Sequence, residues 1–176
     1  MTQTVVDSSR LGPALLALVG NPNCGKTALF NLLTGSRQKV ANYAGVTVER
    51  KEGVLRTPSG RRLAVLDLPG TYSLTPHSPD EQVTCDVLAG RLSGERRPDL
   101  ILAVVDATHL PRQLRLVLGL MRQGLPVVVA LNMTDLARAR GIHVDAEALS
   151  TALGVPVVTT VAVKSGGADA LLELLD

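Results

Sequence analysis

An eight-residue stretch at 20–27, GNPNCGKT, constrains the fold of this chain more than any other feature. An apolar run at 14–19 precedes it, and a helix-like segment at 28–34 follows it. It therefore lies between a strand and a helix that begins at Lys26 or Thr27. The spacing is G-x-x-x-x-G-K-[ST], which is the phosphate-binding loop pattern. In such a loop, backbone N–H groups and the positive end of the helix dipole point at a phosphate.

The residue types in this loop suit that chemistry. Gly20 and Gly25 have no side chain that would keep the backbone from closing around a phosphate. We expect Lys26 to reach the β- and γ-phosphates and Thr27 to offer its hydroxyl to Mg²⁺. The alternative is an ordinary glycine-rich turn, but the flanking strand and helix favour phosphate binding.

Composition limits the other possibilities. A length of 176 residues fits one domain. Because 45% of the residues are hydrophobic but only 2% are aromatic, the core must consist of aliphatic side chains, as in buried parallel strands. The net charge of +2, with no long basic run, argues against a nucleic-acid platform. No apolar run approaches the roughly 18–20 residues that cross a bilayer, so we expect the chain as given to be cytoplasmic.

Strands alternate with helices along residues 13–176, after a polar segment at 1–12 that we expect to be a flexible lead. The ranges 36–45 and 71–80 are predicted to be loops. Helices are expected at 81–92, 111–123, 136–140, 145–153 and 168–175. Strands are expected at 14–19, 46–56, 61–68, 100–105, 126–131 and 155–159.

These elements predict one α/β domain. The turn sequence PSG at 58–60 joins two strands into an antiparallel hairpin. The other strands alternate with helices, so we expect a mostly parallel six-stranded sheet with one antiparallel hairpin strand and helices on both faces. The spacing of apolar residues predicts which side chains two of the helices bury: Val83, Val87 and Leu88 in one, and Leu114, Val117, Leu118 and Met121 in the other.

Ligands of open α/β sheets bind outside the carboxyl ends of the strands, so residues there are candidates for the site. Asp67 ends a strand and is expected to hold Mg²⁺, directly or through water, while the backbone N–H of Gly70 faces a γ-phosphate. A strand that simply exits into a turn is the alternative.

Thr47 follows a predicted loop, and its hydroxyl would complete the Mg²⁺ coordination once a γ-phosphate orders that loop. Alternatively, Thr47 is only a β-branched strand residue.

Another strand ends in the pattern N-x-x-D, formed by Asn132 and Asp135. A carboxylate there can accept hydrogen bonds from the guanine N1 and N2 groups, which adenine does not present. Asn132 would brace the loop. The pattern is weak alone and gains weight from its place in the chain.

Together these motifs are similar to a known family. The chain resembles a Ras-like P-loop GTPase of the TRAFAC class and, within it, the G domain of the ferrous-iron transporter family FeoB. The matching segments span nearly the whole chain in the right order: GNPNCGKTALFNLLTG at 20–35, QKVANYAGVTVERKEG at 38–53, DLPGTYSL at 67–74, VVDAT at 104–108 and LNMTD at 131–135.

The resemblance implies a guanine-nucleotide site for GTP or GDP, with Mg²⁺ and K⁺ as cofactors. Asn23 matches the asparagine that coordinates K⁺ in cation-activated GTPases of this kind. The implied Mg²⁺ ligands are Thr27, Thr47 and Asp67, and the implied catalytic residues are Asn23, Lys26, Thr47 and Gly70. The implied nucleotide contacts are Gly20, Asn21, Pro22, Asn23, Cys24, Gly25, Lys26, Thr27, Ala28, Asn132, Met133, Asp135, Val161 and Ala162.

Three positions depart from the common GTPase pattern. Thr71 stands where Ras-type proteins carry the glutamine that positions the attacking water. Met133 replaces a lysine that packs on the base. Val161 replaces a small hydroxyl residue, so that the N–H of Ala162 is left as the expected guanine contact in this segment. Looser guanine binding and rapid GDP release are the resulting hypothesis.

The resemblance implies a slow, K⁺-stimulated and Mg²⁺-dependent GTPase that acts as a regulatory switch. Loops 36–47 and 70–80 would order around GTP and relax after its hydrolysis. The implied partner is the transmembrane iron permease region of a full-length family protein, at the cytosolic face of the inner membrane. Family members continue into helical and transmembrane domains, so we expect an excised or truncated G domain.

Two other functions remain open. One is an Era-like GTPase of ribosome or RNA assembly, although no nucleic-acid partner is expected from the charge pattern. The other is an ATP-dependent P-loop enzyme, against which Asp135 argues. The sequence carries no signal for an oligomeric state.

Overall fold

The computed structural model describes residues 12–176, so the predicted lead at 1–12 lies outside the described residues except for its last one. The strands are β1 (Leu15–Gly20), β2 (Gln38–Asn42), β3 (Glu49–Arg56), β4 (Arg62–Asp67), β5 (Leu100–Asp106), β6 (Val127–Asn132) and β7 (Val157–Thr159). The helices are α1 (Lys26–Thr34), α2 (Pro79–Ala89), α3 (Leu110–Met121), α4 (Thr134–Ala139), α5 (Ala146–Leu153) and α6 (Asp169–Leu175). A 3₁₀ turn at Ala107–His109 precedes α3.

The strands form one sheet in the order β2-β3-β4-β1-β5-β6-β7. Strand β3 is antiparallel to both of its neighbours, and the pairs from β4 to β7 are parallel. The register aligns Leu18 with Asp67 and Asp106 with Asn132. The carboxyl ends of β4, β1, β5 and β6 therefore meet at one edge, as the strand-end motifs predict.

The sheet has seven strands rather than the predicted six. The additional strand, β2, lies in the polar stretch that was predicted to be a loop. All five of its residues are exposed, so it buries no apolar face that the sequence pattern would reveal. It exists because its backbone pairs with β3, from Gln38 opposite Gly53 to Asn42 opposite Glu49.

Helices cover both faces of the sheet, as predicted. Buried residues of α1 and α6, including Phe30 and Leu171, pack on one face. Buried residues of α2 and α3 pack on the other, among them the predicted Val83, Val87 and Leu88. None of the helices in the described part of the chain is long and apolar enough to cross a membrane.

The predicted buried face of α3 is partly wrong. Val117 is buried, but Leu118 is 47% exposed, and the buried set is Gln113, Leu116, Val117 and Leu120. Gln113 lies inside because its side-chain oxygen accepts a hydrogen bond of 2.8 Å from the backbone N–H of Asp106. A buried polar group that has such a partner is tolerated, which apolar spacing alone does not predict.

Candidate functional site

The start of α1 is built to receive an anion. The residue before the helix, Gly25, has a left-handed backbone with φ of 84°, and among the described residues no side chain caps the helix. Its first turn contains no acidic residue. The N–H groups of a first helical turn have no partner within the helix. Here they are left for a ligand, and the helix dipole favours a negatively charged one.

Neighbouring atoms lie so close to both loop glycines that neither position has room for a side chain. A β-carbon on Gly20 would lie 2.6 Å from Sγ of Cys24 and 2.7 Å from the carbonyl oxygen of Val104. A β-carbon on Gly25 would collide with the side-chain amide of Asn132. The glycines thus let the loop lie directly against β5 and β6. Glycine is therefore needed at both positions for packing, in addition to leaving room for a phosphate.

Lys26 and Asp67 form an ion pair at the bottom of a cleft of about 210 Å³. Thr27 also lines this cleft and is exposed, whereas Asp67 is only 7% exposed. A carboxylate and a hydroxyl beside one another are the oxygen donors that Mg²⁺ prefers. These two predicted Mg²⁺ ligands therefore fit that ion.

Thr47, the third predicted Mg²⁺ ligand, lies elsewhere in this structure. It is exposed in the bend between β2 and β3 and lines a neighbouring depression together with Pro79. The structure does not bring it into the cleft of Lys26 and Asp67. Four residues earlier, Tyr43 is 1% exposed in the core, and its N–H donates to the carbonyl of Val48 at 2.9 Å. The bend is thus anchored at its base, while Thr47 stays outside.

The loop 67–72 approaches the phosphate-binding loop closely. A β-carbon on Gly70 would lie 3.2–3.4 Å from atoms of Pro22. The N–H of the buried Thr71 donates to the carbonyl of Gly20 at 3.0 Å. The backbone of Gly70 thus lies beside the phosphate-binding loop, whereas the contact of its N–H with a γ-phosphate stays a prediction. The Thr71 side chain donates to the carbonyl of Ser73 at 2.6 Å.

Glu81 organises this loop, a role that the sequence reading did not assign to it. Its carboxylate accepts a hydrogen bond from the N–H of His77 at 2.7 Å, and the Thr71 hydroxyl, whose proton is shared with the carbonyl of Ser73, lies 3.3 Å from it. These bonds, chiefly the one from His77, hold the pKa of Glu81 below its usual range. Ser78 caps the helix by accepting from the N–H of Glu81 at 3.2 Å. The S-x-x-E pattern predicts this cap, but the Glu81 carboxylate accepts from the N–H of His77 rather than from the N–H of Ser78 as in a full capping box.

Asn132 connects three segments of the site. Its side-chain N–H donates to the carbonyl of Cys24 in the phosphate-binding loop at 3.1 Å. Its side-chain oxygen accepts from the hydroxyl of Thr160 and from the N–H of Ala162, both at 3.1 Å. Asn132 is 2% exposed. These hydrogen bonds agree with the predicted role of Asn132 as a brace of this loop.

The guanine contact at Ala162 stays a prediction, but its N–H already has a hydrogen-bond partner within the fold. Its N–H, predicted to be the remaining guanine contact of this segment, is occupied by the Asn132 side chain. Val161 is turned into a tight loop in which its N–H donates to the carbonyl of Gly167 at 2.9 Å. A backbone donor this close to a buried amide oxygen is satisfied internally, which sequence spacing does not reveal.

Asp135 stands in the first turn of α4, and Met133 precedes that helix with a left-handed φ of 59°. The Asp135 side chain is 34% exposed and lies 3.8 Å from the ammonium group of Lys164. Its carboxylate is thus available to a ligand at the same edge of the sheet as the phosphate-binding loop.

The three remaining loop side chains differ in their surroundings. Asn23 is exposed and has a positive φ of 66°, so its side chain is accessible to a ligand. Asn21 is 5% exposed, and its side-chain oxygen has no hydrogen-bond partner among the described residues. Cys24 is completely buried, and burial raises the pKa of its thiol to about 11. Its thiol is therefore protonated near neutral pH and unsuited to nucleophilic chemistry.

The family comparison agrees with this geometry. The model of the family described as "Ferrous iron transport protein B" matches residues 14–175. The Fe(2+) transporter FeoB of Salmonella typhimurium is 50% identical over 165 residues, which are 92% of this chain but 21% of the transporter. The chain thus spans about a fifth of the length of that relative.

Solved structures extend the comparison. A mutant of S. thermophilus NFeoB bound to mGDP is similar with a TM-score of 0.84 at 46% identity, over 92% of this chain and 60% of that one. The FeoB G-domain from Methanococcus jannaschii is similar with a TM-score of 0.78 at 39% identity, over 94% of this chain and 96% of that one. The fold is therefore that of FeoB G-domains, and the chain belongs to the ferrous iron transport protein B family.

Proposed function

We propose that this chain binds and hydrolyses GTP as the regulatory domain of a ferrous-iron transport protein. The observation that supports this most is the meeting of three elements at one sheet edge. These are an uncapped helix N-terminus with its lysine, a strand-end aspartate beside that lysine, and the Asn132–Asp135 loop bonded to the phosphate-binding loop. Protein groups that can bind the phosphates, the metal ion and the guanine base thus lie next to one another.

The residues divide the work as follows. The first-turn N–H groups of α1 hold the phosphates, and Lys26 neutralises charge on the β- and γ-phosphates. Asp135 accepts from guanine, and Asn132 fixes the loop that carries it. Thr27 and Asp67 would hold Mg²⁺, with Thr47 as a third ligand once its bend has moved inward. When bound, Mg²⁺ neutralises charge that develops on the phosphate oxygens.

Asn23 is proposed to bind K⁺. It is exposed at the rim of the phosphate-binding loop, and its side-chain oxygen is a suitable donor. A cation held there would stabilise negative charge on the phosphates, which makes hydrolysis K⁺-dependent. A group for orienting the water nucleophile must come from the backbone or the switch loops, because the Thr71 hydroxyl is turned towards Ser73.

For the whole transporter, we propose that loops 36–47 and 70–80 report the nucleotide state to a transmembrane iron permease region. The domain would then lie at the cytosolic face of the membrane. The 21% coverage of the Salmonella transporter supports the existence of such a region, because it leaves ample length for one in the relative.

The testing experiment is GTP hydrolysis in KCl and in NaCl at equal ionic strength. We expect strong stimulation by K⁺ that is lost in Asn23→Ala and retained in Asn31→Ala, the same exchange on α1 away from the cleft. Equal rates in both salts would remove Asn23 from the site and favour an Era-like assembly GTPase. No hydrolysis of GTP in either salt would refute the proposed activity.

The base specificity has its own test. In Asp135→Asn, nucleotide preference should move from GTP towards xanthosine triphosphate, because the amide can donate to the xanthine oxygen where the carboxylate accepted from guanine. Competition between the two nucleotides measures this shift. An unchanged preference would contradict the assignment of Asp135 and reopen an ATP-dependent P-loop enzyme.

A further inference from the structure

Within residues 12–176, no strand pairs with the outer edge of β2. Strand β2 is first in the sheet order, so it pairs with β3 on one side only. All five of its residues, Gln38–Asn42, are exposed. An edge strand of this kind presents backbone N–H and C=O groups to which another extended chain can pair.

The hydrogen-bond register identifies the free groups. In an antiparallel pair, opposed residues alternate between those that bond to the partner strand and those that point away from it. Beyond Asn42 and Glu49, the N–H of Tyr43 donates to the carbonyl of Val48. Counting back by twos, Ala41 and Lys39 also face β3. The N–H and C=O groups of Gln38, Val40 and Asn42 therefore point outward, and none of them has a hydrogen-bond partner among the described residues.

The two faces of β2 differ in chemistry. Side chains alternate along a strand, so Lys39 lies on one face and Val40 on the other. Val40 is 54% exposed, so its apolar side chain is accessible to an incoming strand. Lys39 is opposite Glu52, but the Glu52 carboxylate is paired with Arg50 at 2.7 Å. An incoming strand would therefore meet an apolar side chain on one face and an unneutralised cation on the other.

A basic groove of about 1000 Å³ adjoins this edge. Its basic lining residues are Arg37, Lys39, Arg56 and Arg62, and none of the four forms an ion pair within the described residues.

Arg56 and Arg62 are cross-strand partners. The adjacent pair is bonded, since the N–H of Thr57 donates to the carbonyl of Arg61. The two arginines thus occupy the unbonded position, where opposed side chains are closest. Like charges directly opposite one another are unfavourable unless an anion lies between them.

We propose that the outer edge of β2 docks an extended peptide segment of alternating acidic and apolar residues, which adds a strand to the sheet. Its backbone pairs with Gln38, Val40 and Asn42. Its apolar side chains pack beside Val40, and its acidic side chains face Lys39 and the basic groove. This surface is distinct from the nucleotide cleft, and its occupant would steady the bend at 43–48 that follows β2.

The probe is a capped, fluorescein-labelled peptide of alternating glutamate and valine, about seven residues long so that it spans β2. Fluorescence anisotropy measures its binding to the wild-type chain at concentrations up to about 1 mM. We expect saturable binding, and slower hydrogen exchange of the Gln38, Val40 and Asn42 amides with the peptide bound. A peptide of alternating lysine and valine should not bind.

Two matched comparisons separate strand addition from simple charge attraction. Val40→Pro removes one outward N–H, which an edge strand tolerates, and Val40→Thr keeps it. The proline variant should bind about fivefold to tenfold more weakly, which is the effect of one lost backbone hydrogen bond, and the threonine variant should match wild type. A peptide N-methylated at every second residue should lose binding in the same way.

The contribution of charge is tested with the double variant Arg37→Glu and Lys39→Glu. This variant should weaken peptide binding at least as much as Val40→Pro does. Circular dichroism confirms that each variant is folded. Equal binding of the N-methylated peptide would overturn strand addition, and so would the absence of binding up to the highest concentration. Binding to phosphatidylglycerol vesicles without binding to the peptide would assign the edge to a membrane surface and refute the proposal.

Discussion

The two halves of the proposed nucleotide site are constructed differently. The base half, formed by the phosphate-binding loop, β6 and the 160–162 segment, is held by buried hydrogen bonds that converge on Asn132. The switch half, formed by the 43–48 bend and the 68–78 loop between β4 and α2, has exposed tips. Tyr72 is 62% exposed, and Thr47 lies outside the cleft. One half is held together by buried hydrogen bonds, whereas in the other the proposed Mg²⁺ ligand Thr47 lies outside the cleft.

This difference fits the requirements of a switch. A rigid base half binds a nucleotide with little loss of conformational entropy, since its backbone is already ordered. A switch half with few buried bonds can change position at small cost, and a γ-phosphate can then supply the energy that orders it. The two halves meet where the N–H of Thr71 donates to the carbonyl of Gly20 at 3.0 Å and where Lys26 pairs with Asp67.

The largest expected effect is on the base half. Asn132→Ala would leave the carbonyl of Cys24, the Thr160 hydroxyl and the N–H of Ala162 without their partner. Since each buried polar group costs about 1–3 kcal/mol when unsatisfied, we expect a loss of about 2–4 kcal/mol of stability after relaxation. The thermal midpoint should then fall by roughly 5–15 °C, as measured by circular dichroism.

Thr134→Ala is the control for that prediction. Its hydroxyl makes a single 3.3 Å bond to the carbonyl of Thr160, so its loss should shift the midpoint much less. If both substitutions were equally mild, Asn132 would not be the brace that separates the rigid half from the mobile one.

Thr47→Ala tests the opposite half. Because Thr47 is exposed and outside the cleft, its loss should change stability by less than about 0.5 kcal/mol and leave GDP affinity unchanged. GTP hydrolysis should nevertheless slow on the order of a hundredfold, since the hydroxyl is needed only with GTP in place. Thr47→Ser keeps the hydroxyl and should restore most of the rate. A parallel fall in GDP affinity would show that Thr47 acts in both states.

The rigid half was predictable because its signals are local. The G-x-x-x-x-G-K-[ST] spacing and the apolar strands ending in Asp67 and Asn132 each specify their own structure. Even so, the engagement of the Ala162 N–H by Asn132 escaped prediction. That bond joins residues 30 positions apart, and such pairing depends on the folded register rather than on spacing.

The mobile half was less predictable for a different reason. Strand β2 has no buried face, so only its pairing with β3 reveals it. The Glu81 carboxylate ties together the loop before α2, and only the folded path of that loop brings His77 and Thr71 to it. Thr47 lies in the exposed bend between two strands, and its place outside the cleft follows from the folded path of that bend rather than from a local sequence pattern.

The smallest expected effect concerns Tyr43, the anchor of the switch bend. Its hydroxyl is buried without a hydrogen-bond partner among the described residues, and burial raises its pKa. Removing a buried unpaired hydroxyl relieves its desolvation cost, so Tyr43→Phe should stabilise the chain by about 1 kcal/mol, or a few degrees in thermal midpoint. Tyr72→Phe, at a 62% exposed position, should have no effect.

The outcome for Tyr43→Phe also bears on the contrast between the two halves. A gain in stability with an unchanged hydrolysis rate would show that the ring alone anchors the bend, and that the hydroxyl is a stability cost carried at a mobile segment. A loss of stability would mean that the hydroxyl bonds to an ordered water or to another group. The bend would then be fixed by polar contacts, as the base half is, and the two halves would differ less than their exposed tips suggest.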